Sequence, residues 1–257
     1  MFEVFVLSLV QGITEFLPIS SSGHLILARF LFGWQDTGMA LDVGLHVGTL
    51  LAVLIYFSKD FLYLALHFWK EKKALSFLLR LIVATLPIAV VGFIFKDVIE
   101  NEMRGPQMVA FCLIFFGIIL YWADKQKGGK SMDEMTYKDA FFIGLAQCLA
   151  IVPGVSRSGI TMTMARFCKM RRSAAARFSM MLSVPTITGA ALLQFAELYS
   201  YGQLDKLNGT FCFGLFCSFV GGLSAIYFLM KWVQNRSFLP FTVYRVALGL
   251  LILYLCA

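Results

Sequence analysis

A polar break that occurs twice in an otherwise apolar chain constrains this sequence more than any other feature. The first copy runs from Leu7 to Gln11 and Glu15, then through Phe16-Leu17-Pro18-Ile19-Ser20-Ser21-Ser22-Gly23-His24. The second runs from Ile143 to Gln147, then through Val152-Pro153-Gly154-Val155-Ser156-Arg157-Ser158-Gly159. A shift of 136 positions carries Leu9, Gln11, Ser20, Ser22 and Gly23 onto Leu145, Gln147, Ser156, Ser158 and Gly159. One residue further out of step, Ala28-Arg29-Phe30 repeats as Ala165-Arg166-Phe167. A charged side chain at mid-membrane costs about 3 kcal/mol on insertion scales, so polar groups in such surroundings mark function by default.

The surroundings are those of a membrane protein. The chain has 257 residues, of which 59% are hydrophobic and 14% charged, well below the charged fraction of a soluble domain. No polar stretch is long enough to bury a core of its own, and the first residues lack the basic leader and small-residue cleavage site of a secretory signal. The net charge of +7 is read as Lys and Arg gathered in cytoplasmic loops, not as a nucleic-acid surface. The six cysteines lie mostly in apolar segments without C-x-x-C spacing and read as small hydrophobes.

A spanning helix needs roughly 20 apolar residues, and six stretches qualify, near 39–57, 75–96, 106–124, 174–197, 209–233 and 240–257. The mixed stretch 61–70 reads as an interfacial piece or an extension of the first span. Segments 1–33 and 137–168 each read as helix, Pro/Ser/Gly turn, helix, with arms too short to cross. Irregular backbone at membrane depth is tolerated only inside protein or beside water, so both are expected to be re-entrant hairpins with tips meeting in the interior. The expectation is an all-α polytopic protein in one integral membrane domain, with six transmembrane helices and two re-entrant hairpins. Its halves, 1–130 and 131–257, each hold one hairpin and three spans. Three is odd, so the halves have opposite orientation, an inverted repeat. Lys59, Lys70, Lys72, Lys73, Lys125, Lys127, Lys130, Lys138, Lys169, Arg171, Arg172, Arg177, Lys231 and Arg236 fall on one side, against Arg29, Arg104 and Lys206 on the other. The first set is expected in the cytoplasm.

Gln11 and Glu15 share a helix face one turn apart, a pair that can offer oxygen ligands to a hard cation; a packing hydrogen bond explains Gln11 equally well. Backbone N–H groups and hydroxyls where a helix opens at Ser20, Ser21 and Ser22 make an anion site. His24 is placed so that its ring could reach back to Ser21 and activate it, or itself attack or carry a proton. The serines alone could equally be helix caps. Arg157, between Ser156 and Ser158, presents a fork suited to phosphate oxygens, and Glu15 is the competing partner. Thr161 and Thr163 read as packing hydroxyls, His46 as a packed residue and His67 as interfacial.

Taken together, Gln-x-x-x-Glu with Phe-Leu-Pro-Ile-Ser-Ser-Ser-Gly-His and Pro-Gly-Val-Ser-Arg-Ser-Gly-x-Thr resembles the undecaprenyl-diphosphate phosphatase family, also called bacitracin-resistance proteins. The resemblance covers essentially the whole chain. It implies an integral-membrane hydrolase of the bacterial inner membrane. Such an enzyme removes the terminal phosphate of undecaprenyl diphosphate, recycling the lipid carrier for peptidoglycan synthesis and cell-wall biogenesis. It implies roles for Glu15, Ser21, His24 and Arg157, with Ser156 beside the arginine. Together with the reading of the two turns, Glu15, Ser21, His24 and Arg157 are expected as catalytic residues and Ser20, Ser22, Ser156, Arg157 and Ser158 as phosphate-binding residues. Glu15 and Gln11 would bind a divalent cation, Mg2+ or Ca2+; the family writes Glu or Gln at the leading position, and here it is Gln11. The expected partners are a polyprenyl diphosphate lipid, the bilayer and a second copy in a homodimer, with the active site open to the periplasmic face. A lipid-phosphate transporter is the rival reading, since inverted repeats with broken helices are transporter architecture.

Overall fold

The structure, a computed structural model, describes residues 1–34, 39–102 and 105–256. Arg104 and the side chain of Lys206, both expected on the outer side, lie outside the described part. The described chain is helical. α1 (Phe2–Phe16) and α2 (Ser21–Phe32) form the first hairpin, followed by α3 (Met39–Tyr56), α4 (Ser58–His67), α5 (Lys72–Glu102) and α6 (Pro106–Asp124). α7 (Tyr137–Gln147), a 3-10 turn over Cys148–Ile151 and α8 (Arg157–Phe167) form the second hairpin. α9 (Arg172–Ser200), α10 (Gly209–Asn235) and α11 (Leu239–Leu255) follow.

The helix ends are written locally. α1 stops at Phe16 because Leu17, preceding Pro18, is extended, as a residue before proline prefers. α6 begins with Pro106 in its first turn, where the missing N–H is harmless. α7 opens with a reciprocal capping box between Thr136 and Asp139, satisfying two N-terminal donors. The long helices α5 and α9 run through Pro87 and Pro185 without ending.

α5, α6, α9 and α10 are each long and apolar enough to cross a membrane. α3 and α4 qualify only as a joined pair, bent by 73°, so the mixed stretch after the first span is a separate helix at a sharp angle. α11 has 17 residues. Large apolar side chains such as Leu86, Val90, Phe93 and Ile94 on α5 and Phe216, Val220 and Tyr227 on α10 point outward. In water such a belt would be an aggregation surface; in a bilayer it is the required coat. The chain is a multi-pass membrane protein.

Each hairpin packs on a helix remote from it in sequence, α1 on α10 and α7 on α5. Small residues allow the first approach, since a Cβ on Gly12 would lie 2.6 Å from the Ser218 carbonyl oxygen and 2.9 Å from the Gly222 nitrogen. Such close backbone contact is how helices associate where lipid offers no hydrophobic drive. One buried cluster runs from Phe16 and Val53 through Ile143, Phe178 and Ile226, so both halves share a core.

Many of the basic residues come together at one end. Arg177 pairs with Asp60, Lys73 with Asp133 at 2.9 Å and Arg172 with Asp124 at 2.6 Å. Lys130 meets the strand-like turn at Lys169 and Met170. Asp124 also receives the Phe238 N–H at 3.0 Å and lies 3.7 Å from Arg166, fixing the ends of α6, α8, α9 and α11 to one carboxylate.

Candidate active site

Both hairpin tips are built alike. Ser20 and Ser156 cap α2 and α8, with φ 74° and 73°. This positive-φ region costs a non-glycine residue on the order of 1–3 kcal/mol and persists only where surroundings impose it. Each cap hydroxyl accepts the N–H three residues on, from Gly23 at 3.4 Å and Gly159 at 3.1 Å. Each also lies 3.2 Å from the hydroxyl two residues on, Ser22 or Ser158. The N-termini of two helices therefore open at the tips, each favouring negative charge.

The tips are stitched together. Ser158 Oγ donates to the Leu17 carbonyl at 2.9 Å, and the Gly154 N–H donates to Ser22 Oγ at 3.4 Å. Gly154 has φ 94°, and a Cβ there would lie 2.6 Å from the Val109 carbonyl oxygen, so both the turn and its seat on α6 require glycine. Beneath both tips lies Arg245 of α11, fully buried. Its guanidinium donates to the carbonyls of Pro18 (3.4 Å), Gly154 (3.0 Å) and Val155 (3.0 Å), and to those of Cys112 and Leu113 on α6. Among the described residues no carboxylate takes part, and main-chain dipoles solvate the buried cation.

Four of the expected residues meet at the stitched tips. Arg157 Nη2 donates to Glu15 Oε1 at 2.7 Å, and its Nη1 donates to the Ser179 carbonyl at 3.2 Å. Glu15 Oε2 accepts from Ser21 Oγ at 2.7 Å and from Gln11 Nε2 at 3.0 Å. His46 lies within electrostatic range of Glu15 while its Nδ1 bonds the Asp42 carbonyl at 2.8 Å. Glu15 and Arg157 are both largely buried, with 8% and 12% side-chain exposure, and such a pair must be fully bonded to be tolerated.

Two sequence expectations change. His24 does not bond Ser21. Its Nδ1 lies 2.7 Å from the Ser20 carbonyl and its Nε2 lies 2.6 Å from the Tyr244 hydroxyl. A carbonyl only accepts, so Nδ1 carries the proton and a neutral His24 offers Nε2 to Tyr244. The ring is held instead by the i–4 carbonyl at the cap and by Tyr244, while the Ser21 hydroxyl is taken by Glu15. The residue paired with Ser21 is Glu15. The serines also divide: Ser20, Ser156 and Ser158 are buried and bonded within the tips, whereas Ser22 is exposed.

Tyr244 and Arg245 were not among the expected site residues. The rule that singled out Glu15 applies equally to an arginine inside the apolar run of α11, so Arg245 carried a signal. Tyr244, 44% exposed beside His24, carried none, since tyrosine is ordinary at the edge of a span.

A hard cation fits in part. Gln11 Oε1 is a buried oxygen with no hydrogen-bond partner, one turn from the Glu15 carboxylate. Among the described residues no three His, Cys, Asp or Glu side chains converge as metal ligands. Any cation here would be held by few protein oxygens and would complete its shell from substrate and water.

A sequence profile described as "Bacitracin resistance protein BacA" matches residues 4–251. The chain belongs to this family. It is 46% identical over 255 residues to the undecaprenyl-diphosphatase of Desulforudis audaxviator, covering 98% of this chain and 96% of that protein. It is 42% identical over 261 residues to the undecaprenyl-diphosphatase of Alteromonas mediterranea, covering 99% and 98%. Undecaprenyl-diphosphatase 4 of Bacillus thuringiensis is 42% identical over 255 residues, covering 98% and 96%. Membership of the bacitracin resistance family thus extends over both hairpins and all the helices between them.

Proposed function

We propose that this chain is a membrane phosphatase that hydrolyses undecaprenyl diphosphate to undecaprenyl phosphate and inorganic phosphate. The observation that carries the reading is the chain Ser21–Glu15–Arg157, each link 2.7 Å, between two helix N-termini. The names and full-length similarity of the relatives support the lipid substrate. A site that only carried a lipid phosphate would need Arg157 but not a hydroxyl bonded to a carboxylate.

Arg157 reaches the distal phosphoryl group, and phosphoryl oxygens take the place of Glu15 on its fork. Glu15, released from the arginine, is the proton acceptor for Ser21. Ser21 Oγ bonds to the distal phosphorus as the bridging P–O bond breaks, and the lipid monophosphate leaves with that electron pair. The Ser21 proton passes to Glu15. Water then attacks the phosphoserine while Glu15 returns its proton to the leaving Ser21 Oγ, giving inorganic phosphate and restoring both side chains. Most of the catalysis is positioning and charge neutralisation, which the two helix N-termini and Arg157 supply. Gln11 and Glu15 would hold a divalent cation, Mg2+ or Ca2+, which when bound would neutralise diphosphate charge. His24, bonded on both nitrogens, fits the role of fixing the first tip at its exposed edge with Tyr244 better than that of nucleophile.

The halves 1–130 and 131–257 act in this reading as an inverted pair, six spans and two re-entrant hairpins. The basic end faces the cytoplasm of a bacterial inner membrane, and the tips face the periplasmic side. A homodimer would form through the same outward apolar faces, and crosslinking in native membranes tests it.

The deciding experiment is phosphate release from a polyprenyl diphosphate by protein purified in detergent, followed by acid trapping of the labelled intermediate. Release without a membrane gradient and label on Ser21 are expected. Label on His24 would overturn the assignment of nucleophile, and no release from folded protein would overturn the phosphatase reading.

A further inference from the structure

A cavity of about 500 Å³ opens at the basic end of the protein and shares no residue with the hairpin tips. We propose that it binds a phosphoryl anion carried on an apolar body. Lys73, Arg80, Arg171 and Arg177 line it against Asp60 and Asp133, four cations to two carboxylates. The carboxylates do not neutralise it. Asp60 is engaged by Arg177, and Asp133 pairs with Lys73, about two-thirds exposed on both sides and therefore weak. Arg80 is fixed from below, donating to the Met132 carbonyl at 2.8 Å and to Ser76 Oγ at 3.0 Å. The main chain of Arg171 bonds Lys130 and Ala175, but its guanidinium has no hydrogen bond or ion pair among the described residues, although Glu134 lies within electrostatic range. Glu134 is held by the Ser131 N–H and hydroxyl, each at 2.7 Å.

The backbone adds to this field. The 29-residue α9 starts at the cavity wall with no side-chain cap, and Ser173 and Ala174 of its first turn line the space. Its first N–H groups and its dipole favour an anion there. A tetrahedral oxyanion suits the arginine forks. The volume exceeds a single phosphate and lies in the range of small-molecule sites. The inner wall is apolar, with Leu64, Phe77, Met181 and Met230. These features select a phosphate ester with a hydrocarbon portion over a bare ion, and the two share the same head chemistry.

The test uses full-length protein carrying Arg157→Ala, which disables the hairpin-tip site and makes the result independent of the phosphatase reading. Dodecyl phosphate and inorganic phosphate are titrated separately in maltoside micelles by calorimetry and thermal unfolding. Saturable binding is expected, weakened tenfold or more by adding Arg171→Glu or Ser173→Asp. Ser173→Asp places a carboxylate in the first turn of α9, where it favours the helix while repelling the ligand, so lost binding with retained thermal stability is not misfolding. Preference for the amphiphile supports a lipid-like ligand; equal affinity for the two probes would overturn the apolar body and leave a site for free phosphate. No saturable binding, or binding unchanged by both substitutions, would overturn the proposal.

Discussion

Arg245→Leu tests how the two hairpin tips are held together. The arginine donates to five carbonyls. Those of Cys112 and Leu113 lie inside α6, where the helix's own N–H groups also bond them. Those of Pro18, Gly154 and Val155 lie in the turns, and no other hydrogen bond among the described residues reaches them. Leaving a buried acceptor unsatisfied costs about 1–3 kcal/mol, so three cost roughly 3–9 kcal/mol. Removing a buried cation that has no carboxylate partner returns part of this, since its desolvation penalty is several kcal/mol. Taking about 6 kcal/mol for the first and about 3 kcal/mol for the second gives a net loss of about 3 kcal/mol. The loss falls at the tips, so function should suffer more than the fold. In detergent, Arg245→Leu should unfold at a lower temperature and release phosphate at least about a hundredfold more slowly, the effect of losing about 2.7 kcal/mol of positioning. Arg245→Lys should recover part of the unfolding temperature but little of the rate, because an ammonium has three donors and cannot span carbonyls on both turns. A folded Arg245→Leu protein with parental turnover would show that the tips hold their geometry without the arginine.

Arg157→Ala should lower kcat/KM by about 10³-fold or more, in keeping with loss of a charge-stabilising donor; Arg157→Lys should not rescue it, and a near-parental rate in either variant would remove the arginine from the site. Gln11→Glu should remain active and become more sensitive to chelation, because it adds a carboxylate beside Glu15; a folded but inactive protein would count against shared cation binding. Asp124→Asn should destabilise by about 3 kcal/mol, as expected when one partner of a buried ion pair is lost, while the folded fraction turns over as the parent does; turnover lost with the unfolding temperature unchanged would contradict a purely structural role.

The architecture was largely legible because a bilayer punishes irregular backbone and charge so heavily. Helices α6 and α10 lie close to the apolar stretches read from the sequence, and the two Pro/Ser/Gly turns fall between short helices. The 73° bend between α3 and α4 was not legible, since it depends on how Phe57 and Leu64 settle into the shared core. At the site, the meeting of Glu15 with Arg157 was foreseen as one of two options, because opposite charges in apolar surroundings have few other choices. The partner of His24 was not, because residue spacing along a helix says which groups are near but not which the backbone strain at Ser20 brings nearest. Arg245 carried the signal of a charge within an apolar run, but its partners are carbonyls, which any residue can supply and no motif advertises.

The bonds between the tips impose an order on biosynthesis. Glu15 meets its arginine only 142 residues later, Leu17 its serine after 141, and Pro18 its clamp after 227. A ribosome that has delivered the first half has therefore placed in the membrane a carboxylate without its arginine and a turn without the groups that close it. The nascent hairpin must wait, near water or protonated, until nearly the last helix is inserted. Chains interrupted early would carry no partial activity, and the enzyme would switch on as one event at the end of its own synthesis.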